Sequence, residues 1–278
     1  LKDVYDALVL GTKDYVEKNN FRGVLIGSSG GIDSALTAAI AYDALGKGRV
    51  KTIMMPFDFT ADISIEDAGL LAKNLGIEHS EISIKEMYES FSLALKESFE
   101  GMGIDKTEEN LQSRCRGVTL MALSNKLGFL VLTTGNKSEA AVGYSTLYGD
   151  TAGGFSVLKD VSKTLVYELA NYRNSLSVVI PKRIIERPPS AELAPDQKDT
   201  DSLPDYDRLD PIIEMYVEDD KSIQEIINEG FDEKEVRRIV SLIDFNEYKR
   251  RQAPLGIKIS DRNFGKDRRY PITNSWKP

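Results

Sequence analysis

At 278 residues the chain is long enough for one large α/β domain, and a compact fold of that size buries roughly three quarters of its unfolded surface. A formal net charge of −8 disfavours nonspecific nucleic-acid or anionic-membrane partners, which need a net basic face, although Lys249-Arg250-Arg251 and Lys266 to Arg269 remain as local basic clusters. A single cysteine, Cys115, rules out an internal disulfide framework, and a single histidine, His79, rules out Ser-His-Asp triads and multi-histidine zinc sites.

Val4, Leu8 and Val16 fall at near-helical spacing, so Lys2 to Asn19 reads as a helix and Gly23 to Ile26 as the strand that follows. Ser29-Gly30-Gly31-Ile32-Asp33-Ser34 then runs into an apolar helix, Ala35 to Leu45. Glycines there let the backbone turn tightly and bring N–H groups close to an anion, while the helix offers unpaired donors and the positive end of its dipole. Ser29 and Ser34 add hydroxyls. Asp33 is out of place as an anion ligand and is better explained as a ligand for Mg²⁺ accompanying phosphates. No Lys follows the glycines, so this is not the loop G-x-x-x-x-G-K-[ST]; a structural turn with a capping serine is the plain alternative.

Val50 to Met55 reads as a second strand, and a helix from about Ile65 to Leu75 has Ser64 and Asp67 as a capping box and Gly76 as its stop. His79 opens a third strand, Ser80 to Ile84, and Lys85 to Phe99 is helical. A long helix, about Glu108 to Leu127, carries Cys115, which reads as packing, and Gly128 ends it before the strand Phe129 to Thr133. Strands alternating with helices predict a parallel sheet covered on both faces, with ligands beyond the carboxyl ends at the switch point. Gly143 to Ser156 and Pro188 to Pro204 read as long loops, and the terminal third as helices over about Asp205 to Val217, Ser222 to Glu229 and Asp232 to Arg250, the last capped by Asp232 and Glu235. The expected division is a nucleotide-binding core over 1–175 and a helical and loop part over 176–278.

Seven segments carry a resemblance: Gly27 to Ser34, Glu109 to Arg114, Thr134 to Glu139, Tyr148-Gly149-Asp150, Pro189 to Leu193, Tyr248 to Pro254 and Arg268 to Thr273. The first resembles the pyrophosphate loop of the ATP pyrophosphatases. Together they resemble, in order and spacing, the synthetase domain of the NAD synthetases, specifically the glutamine-dependent branch. The resemblance implies a Rossmann-like α/β fold of the adenine nucleotide alpha hydrolase type and a homodimer. It also implies a ligase that uses ATP to turn deamido-NAD into an adenylate, which ammonia converts to NAD, releasing AMP and pyrophosphate.

By resemblance, Gly27, Ser28, Ser29, Gly30, Gly31, Ile32, Asp33 and Ser34 cradle the ATP phosphates, with Thr134, Lys163 and Ser190 as further ATP contacts. Asp33 and Glu139 would hold Mg²⁺ and, with Lys163, form the catalytic set; Asn110, Arg114, Glu139, Asp150 and Lys249 would meet deamido-NAD. Thr134 as a strand-end cap, Asn110 as an N-cap, Asp150 as a turn cap and solvated faces for Glu139, Arg114 and Lys249 are the structural alternatives. Pro56-Phe57-Asp58-Phe59-Thr60 departs from the family pattern, and Leu147 and Gly154 replace two charged contacts of the ammonia-dependent branch.

Members of the glutamine branch carry an N-terminal glutaminase domain as the source of ammonia, which has no room before residue 1 here. With Leu1 where a Met would start, the chain is expected to be a piece of a longer polypeptide, an omitted tag being the alternative. Free ammonia would then be its nucleophile, with rates rising between about pH 7 and 9 on added ammonium salt. No run approaches the roughly 20 apolar residues of a membrane helix, and no signal sequence is evident, so the expected location is cytoplasmic. Two rivals remain: another ATP pyrophosphatase, acting on XMP, aspartate or tRNA, and a nucleotide sensor without turnover.

Overall fold

A computed structural model describes residues 1–273 apart from 196, 198 and 202; the end of the expected C-terminal part, 274–278, and those three positions of the Pro188 to Pro204 loop lie outside the described residues. The elements run α1 (Lys2–Lys18), β1 (Val24–Gly27), α2 (Ile32–Leu45), β2 (Val50–Met54), α3 (Asp62–Leu75), β3 (Glu78–Glu81), α4 (Lys85–Leu95), α5 (Lys106–Leu127), β4 (Leu130–Thr133), α6 (Lys137–Val142), β5 (Phe155–Ser156), α7 (Lys163–Leu176) and α8 (Lys182–Glu186). A helical remainder follows: α9 (Tyr206–Ile213), a π-helical turn at Glu214–Glu218, α10 (Ile223–Asn228), α11 (Glu233–Phe245) and α12 (Glu247–Arg250).

All five strands are parallel, in the order β3-β2-β1-β4-β5. Successive residues of the central strands serve opposite faces. Val24 and Ile26 of β1, with Leu130 and Leu132 of β4, pack towards α1, α2 and α7, whereas Leu25 and Val131 join Cys115 and Leu120 of α5 on the other side. Burial on both faces explains why these strands read as continuous apolar runs. Strand order reverses between β1 and β4, so the glycine loop after β1 and the Thr134 loop after β4 open beside each other at the switch point.

A third apolar cluster belongs to the helical remainder. Val236, Ile239, Val240 and Ile243 of α11 repeat at helical spacing and close against α6, α9 and α10. The chain then returns to the sheet: the Ser156 N–H donates to the Leu255 carbonyl (2.8 Å) and Ser156 bridges Gly256, so this segment lies along the outer edge of β5.

Local differences from the sequence reading have physical causes. Ser64 and Asp67 do not cap α3, which starts at Asp62 with no side-chain cap. Ser64 Oγ donates to Glu192 (2.6 Å) and accepts from Arg187 (2.8 Å), and Asp67 is buried against Arg183 (2.7 Å). Gly76 does end the helix, in the left-handed conformation. The third strand sits earlier, with His79 inside it and bonded to Thr52 (2.9 Å). The helix expected over Asp232 to Arg250 breaks at Asn246, whose side-chain amide donates to the Val142 and Leu242 carbonyls. Within the expected Gly143 to Ser156 loop, β5 pairs with β4, and α6, α7 and α8 occupy stretches where no element was expected.

Candidate functional site

Between β1 and α2 the backbone turns through Ser28 to Gly31. Gly30 has φ of 75° and backs onto α3 so closely that a Cβ would stand 2.3 Å from the Ser64 carbonyl oxygen; only glycine meets both conditions. The Ser29 and Ser34 hydroxyls lie 3.2 Å apart, and the Gly31 N–H donates to Ser29 Oγ (3.2 Å). Ser28 Oγ is buried with no hydrogen-bond partner among the described residues, although Ser28 lines the cavity, as an acceptor-seeking hydroxyl in a phosphate cradle would.

The next strand end supplies the acids' partners. Asn136 caps α6, its side chain accepting the Glu139 N–H while the Glu139 carboxylate accepts the Asn136 N–H. The Asn136 amide also donates to Asp33 Oδ1 (2.8 Å). Lys163, the first residue of α7, donates through Nζ to Asp33 Oδ2 at 2.5 Å and to Glu139 Oε1 at 3.4 Å. Each carboxylate therefore has one oxygen on Asn136 and the other on Lys163, a closed ring across the switch point. Its anchor is Asp210 of α9, which accepts from Ser138 and from the Thr164 N–H and hydroxyl, while Ser138 Oγ accepts the Lys163 N–H (2.9 Å).

Burial pushes the Glu139 carboxyl up, against the pull of the Lys163 ammonium and with the push of the Asp33 charge. For Lys163, burial works against the charge, but Asp33 and Glu139 outweigh it and raise the ammonium above its ordinary range. Two hard carboxylates from different strand ends suit Mg²⁺, which binds one or two carboxylates plus substrate phosphates; among the described residues no cluster of three or more His, Cys, Asp or Glu forms a complete protein cage.

The ring borders a cavity of about 320 Å³, of ligand-pocket size. Gly27, Ser28, Ser29, Gly31, Ile32, Asp33, Ser34, Thr134, Glu139, Asp150, Lys163, Ser190 and Lys249 all line it, and Gly30 shapes the turn behind. Asp150 accepts from the Thr146 N–H (3.0 Å) and Ser113 Oγ (3.1 Å), and desolvation of the carboxylate raises its pKa. Lys249 Nζ donates to the Gly143 (2.7 Å) and Ser145 (2.8 Å) carbonyls, burial lowering its pKa against the pull of Asp150. Ser190 Oγ donates to the Gln197 carbonyl (2.5 Å).

Asn110 and Arg114 do not line this cavity. Asn110 accepts from Thr146 Oγ1 (2.8 Å), and Arg114 is exposed with Nε on the Leu147 carbonyl (3.3 Å). Conversely, Asn136, Arg116, Arg187 and Asp199 line the cavity without having been assigned from sequence. For Asn136 a signal existed, an Asn three residues before Glu139 in capping-box spacing; for Asp199, held by the Tyr144 and Tyr206 hydroxyls, there was none.

Comparison with known proteins bears on the family. A family model described as NAD synthase matches residues 4–253. The glutamine-dependent NAD(+) synthetase of Acinetobacter baylyi is 55% identical over 280 residues, an alignment covering 100% of this chain and 52% of that protein. That of Thermotoga maritima is 54% identical, with 99% of this chain and 48% of that protein covered. The chain thus spans about half the length of these curated relatives. Among solved structures, glutamine-dependent NAD+ synthetase from Acinetobacter baumannii in complex with ADP matches 98% of this chain and 50% of its own at 52% identity and a TM-score of 0.66. NMN synthetase from Francisella tularensis matches 89% of this chain and 94% of its own at 30% identity and a TM-score of 0.76. With matched residues running through the glycine loop, the Asp33–Lys163–Glu139 ring and α11, the chain belongs to the NAD synthase family.

Proposed function

We propose that this chain converts deamido-NAD to NAD, using ATP to activate the nicotinate carboxylate as an adenylate and ammonia to displace AMP. The observation that carries the reading is the ring of Asp33, Asn136, Glu139 and Lys163 lining the glycine-loop cavity. A carboxylate is a poor electrophile until it carries a leaving group. The glycine-loop N–H groups and the Ser28, Ser29 and Ser34 hydroxyls bind the triphosphate. Asp33 and Glu139 hold Mg²⁺, which when bound neutralises phosphate charge. The Lys163 ammonium, fixed by both acids, stabilises the departing pyrophosphate. Asp150 and Lys249, which also line the cavity, hold the dinucleotide.

In the whole protein, ammonia would come from a glutaminase domain, as the relatives' glutamine dependence suggests. We assign the working assembly as a homodimer in the cytoplasm. α5 presents Val118 and Met121 outward beside exposed Tyr148, an apolar face that a second copy would cover next to Asn110 and Arg114. No described helix is long and apolar enough to cross a membrane.

The test is product analysis with ATP, Mg²⁺, ammonium and, in parallel, deamido-NAD, nicotinate mononucleotide, XMP or aspartate. NAD and AMP in equal amounts with deamido-NAD is the expected result. Pyrophosphate release with only another acceptor overturns the reading, and tight ATP binding without AMP makes the chain a sensor.

A further inference from the structure

α5 carries two arginines two residues apart, positions that do not share a helical face. Arg114 points away from the cavity, as described above, while Arg116 lines it. Arg116 Nε donates to the Met55 carbonyl just beyond β2 (3.0 Å), which fixes the plane of the guanidinium. Among the described residues its two terminal amino groups donate no hydrogen bond, and no carboxylate forms an ion pair with it. Glu192, the acid whose charge acts on Arg116, is already engaged by Ser64 Oγ (2.6 Å), the Ala61 N–H (3.3 Å) and Arg187 (3.4 Å).

The other cations of the lining have their partners. Lys163 is on Asp33 and Glu139, Lys249 on two carbonyls, Arg187 on Ser64 and Glu192, Lys159 on the Pro254 carbonyl and Arg250 on Glu247. Arg116 is thus left as a partly buried, positioned fork with unused donors, and burial lowers its pKa to about 10. Its place is beside the glycine loop. A Cβ on Gly27 would stand 3.4 Å from Met55 Cε and 3.2 Å from Leu120 Cδ1, and Leu120 lies one turn along α5 from Arg116. An anion with several oxygens, seated in the loop, offers the acceptors that a planar guanidinium takes in pairs.

We propose that Arg116 is a phosphate-binding residue for ATP, closing the β2 side of the cradle opposite Lys163. The assignment rests on the reading of this cavity as the ATP site, and the test separates the two. ATP and adenosine, each with Mg²⁺, are titrated calorimetrically into the 278-residue chain and into its Arg116→Ala, Arg116→Lys and Arg116→Gln variants. The expected result is a loss of ATP affinity of roughly 10- to 100-fold in Arg116→Ala, with adenosine affinity held within about twofold and part of the ATP loss recovered in Arg116→Lys. Unchanged ATP affinity overturns the assignment, as does an equal loss for ATP and adenosine, which marks a base contact or a damaged cavity. Should Arg116→Ala fail to fold in a thermal scan, Arg116→Gln carries the same comparison. Failure of the unsubstituted chain to bind ATP overturns the reading of the cavity itself.

Discussion

Lys163 is the residue on which the site's charge balance turns. It is almost fully buried, and its ammonium faces two carboxylates that otherwise face each other. Lys163→Met should lower kcat/KM by at least about 100-fold, because the departing pyrophosphate loses a positioned cation. It should also lower unfolding free energy by about 3 kcal/mol in urea titrations, since two half-buried acids lose their shared partner. His79 gives a pH test away from the site. Burial holds its pKa below the ordinary 6.5, and Nε2 has no partner among the described residues. The unfolded chain therefore takes up the proton first, and the stability due to neutral His79 is complete above pH 6.5 and declines as pH falls from there towards the lowered folded value. His79→Gln should flatten the loss of melting temperature between about pH 7 and 5.5. At this scale the sequence was informative where chemistry demands a residue type. Asp33 stands out as an acid among glycines, and Glu139 and Lys163 follow from the family pattern. Asn136 was passed over because its spacing to Glu139 signals only a cap, and its donation to Asp33 is a contact across 103 residues. Of the two arginines of α5, the family pattern singled out Arg114, whereas the helix turns Arg116 to the cavity.

At the scale of elements, the glycine loop works because α3 leaves no room for a side chain behind it. Gly30→Ala must either place alanine at positive φ against the Ser64 backbone or reshape the turn. The expected outcome is loss of measurable ATP binding and a stability decrease of about 1–3 kcal/mol, read by calorimetry and by thermal unfolding. Long elements with an apolar rhythm were legible: α1, α2, α5 and the strands β1, β2 and β4 emerge within a few residues of where the pattern puts them. Short ones were not. β5 is two residues long and exists because Phe155 and Ser156 fall in register with Leu132 and Thr133, a tertiary fact. α6 spans six residues and is held by its cap and by the α11 cluster. The expected cap of α3 failed for a related reason: Ser64 and Asp67 are claimed by Glu192 and Arg183, partners more than a hundred residues away.

Over the whole molecule, the sheet positions the glycine loop and the Asp33–Glu139 pair, while the helical cluster steadies them through Asp210 and Lys249. This dependence was not legible, because the expected boundary near residue 175 separates parts that meet at Ser138, Thr164 and Asp210. The exposed face of α5 supplies the test of assembly. Val118→Glu should convert a dimer to monomers in sedimentation velocity and raise KM for deamido-NAD, with melting temperature nearly unchanged, because Val118 is 63% exposed within one chain. The late segment laid along β5 has a consequence for how the protein is made. A parallel sheet left with an unpaired border strand invites association with other chains. Here that border waits for Leu255 and Gly256, about a hundred residues further along the chain. A nascent chain must therefore carry an open flank from the emergence of β5 until these residues follow, and truncation just upstream of them would yield a polypeptide able to assemble its interior yet prone to aggregate.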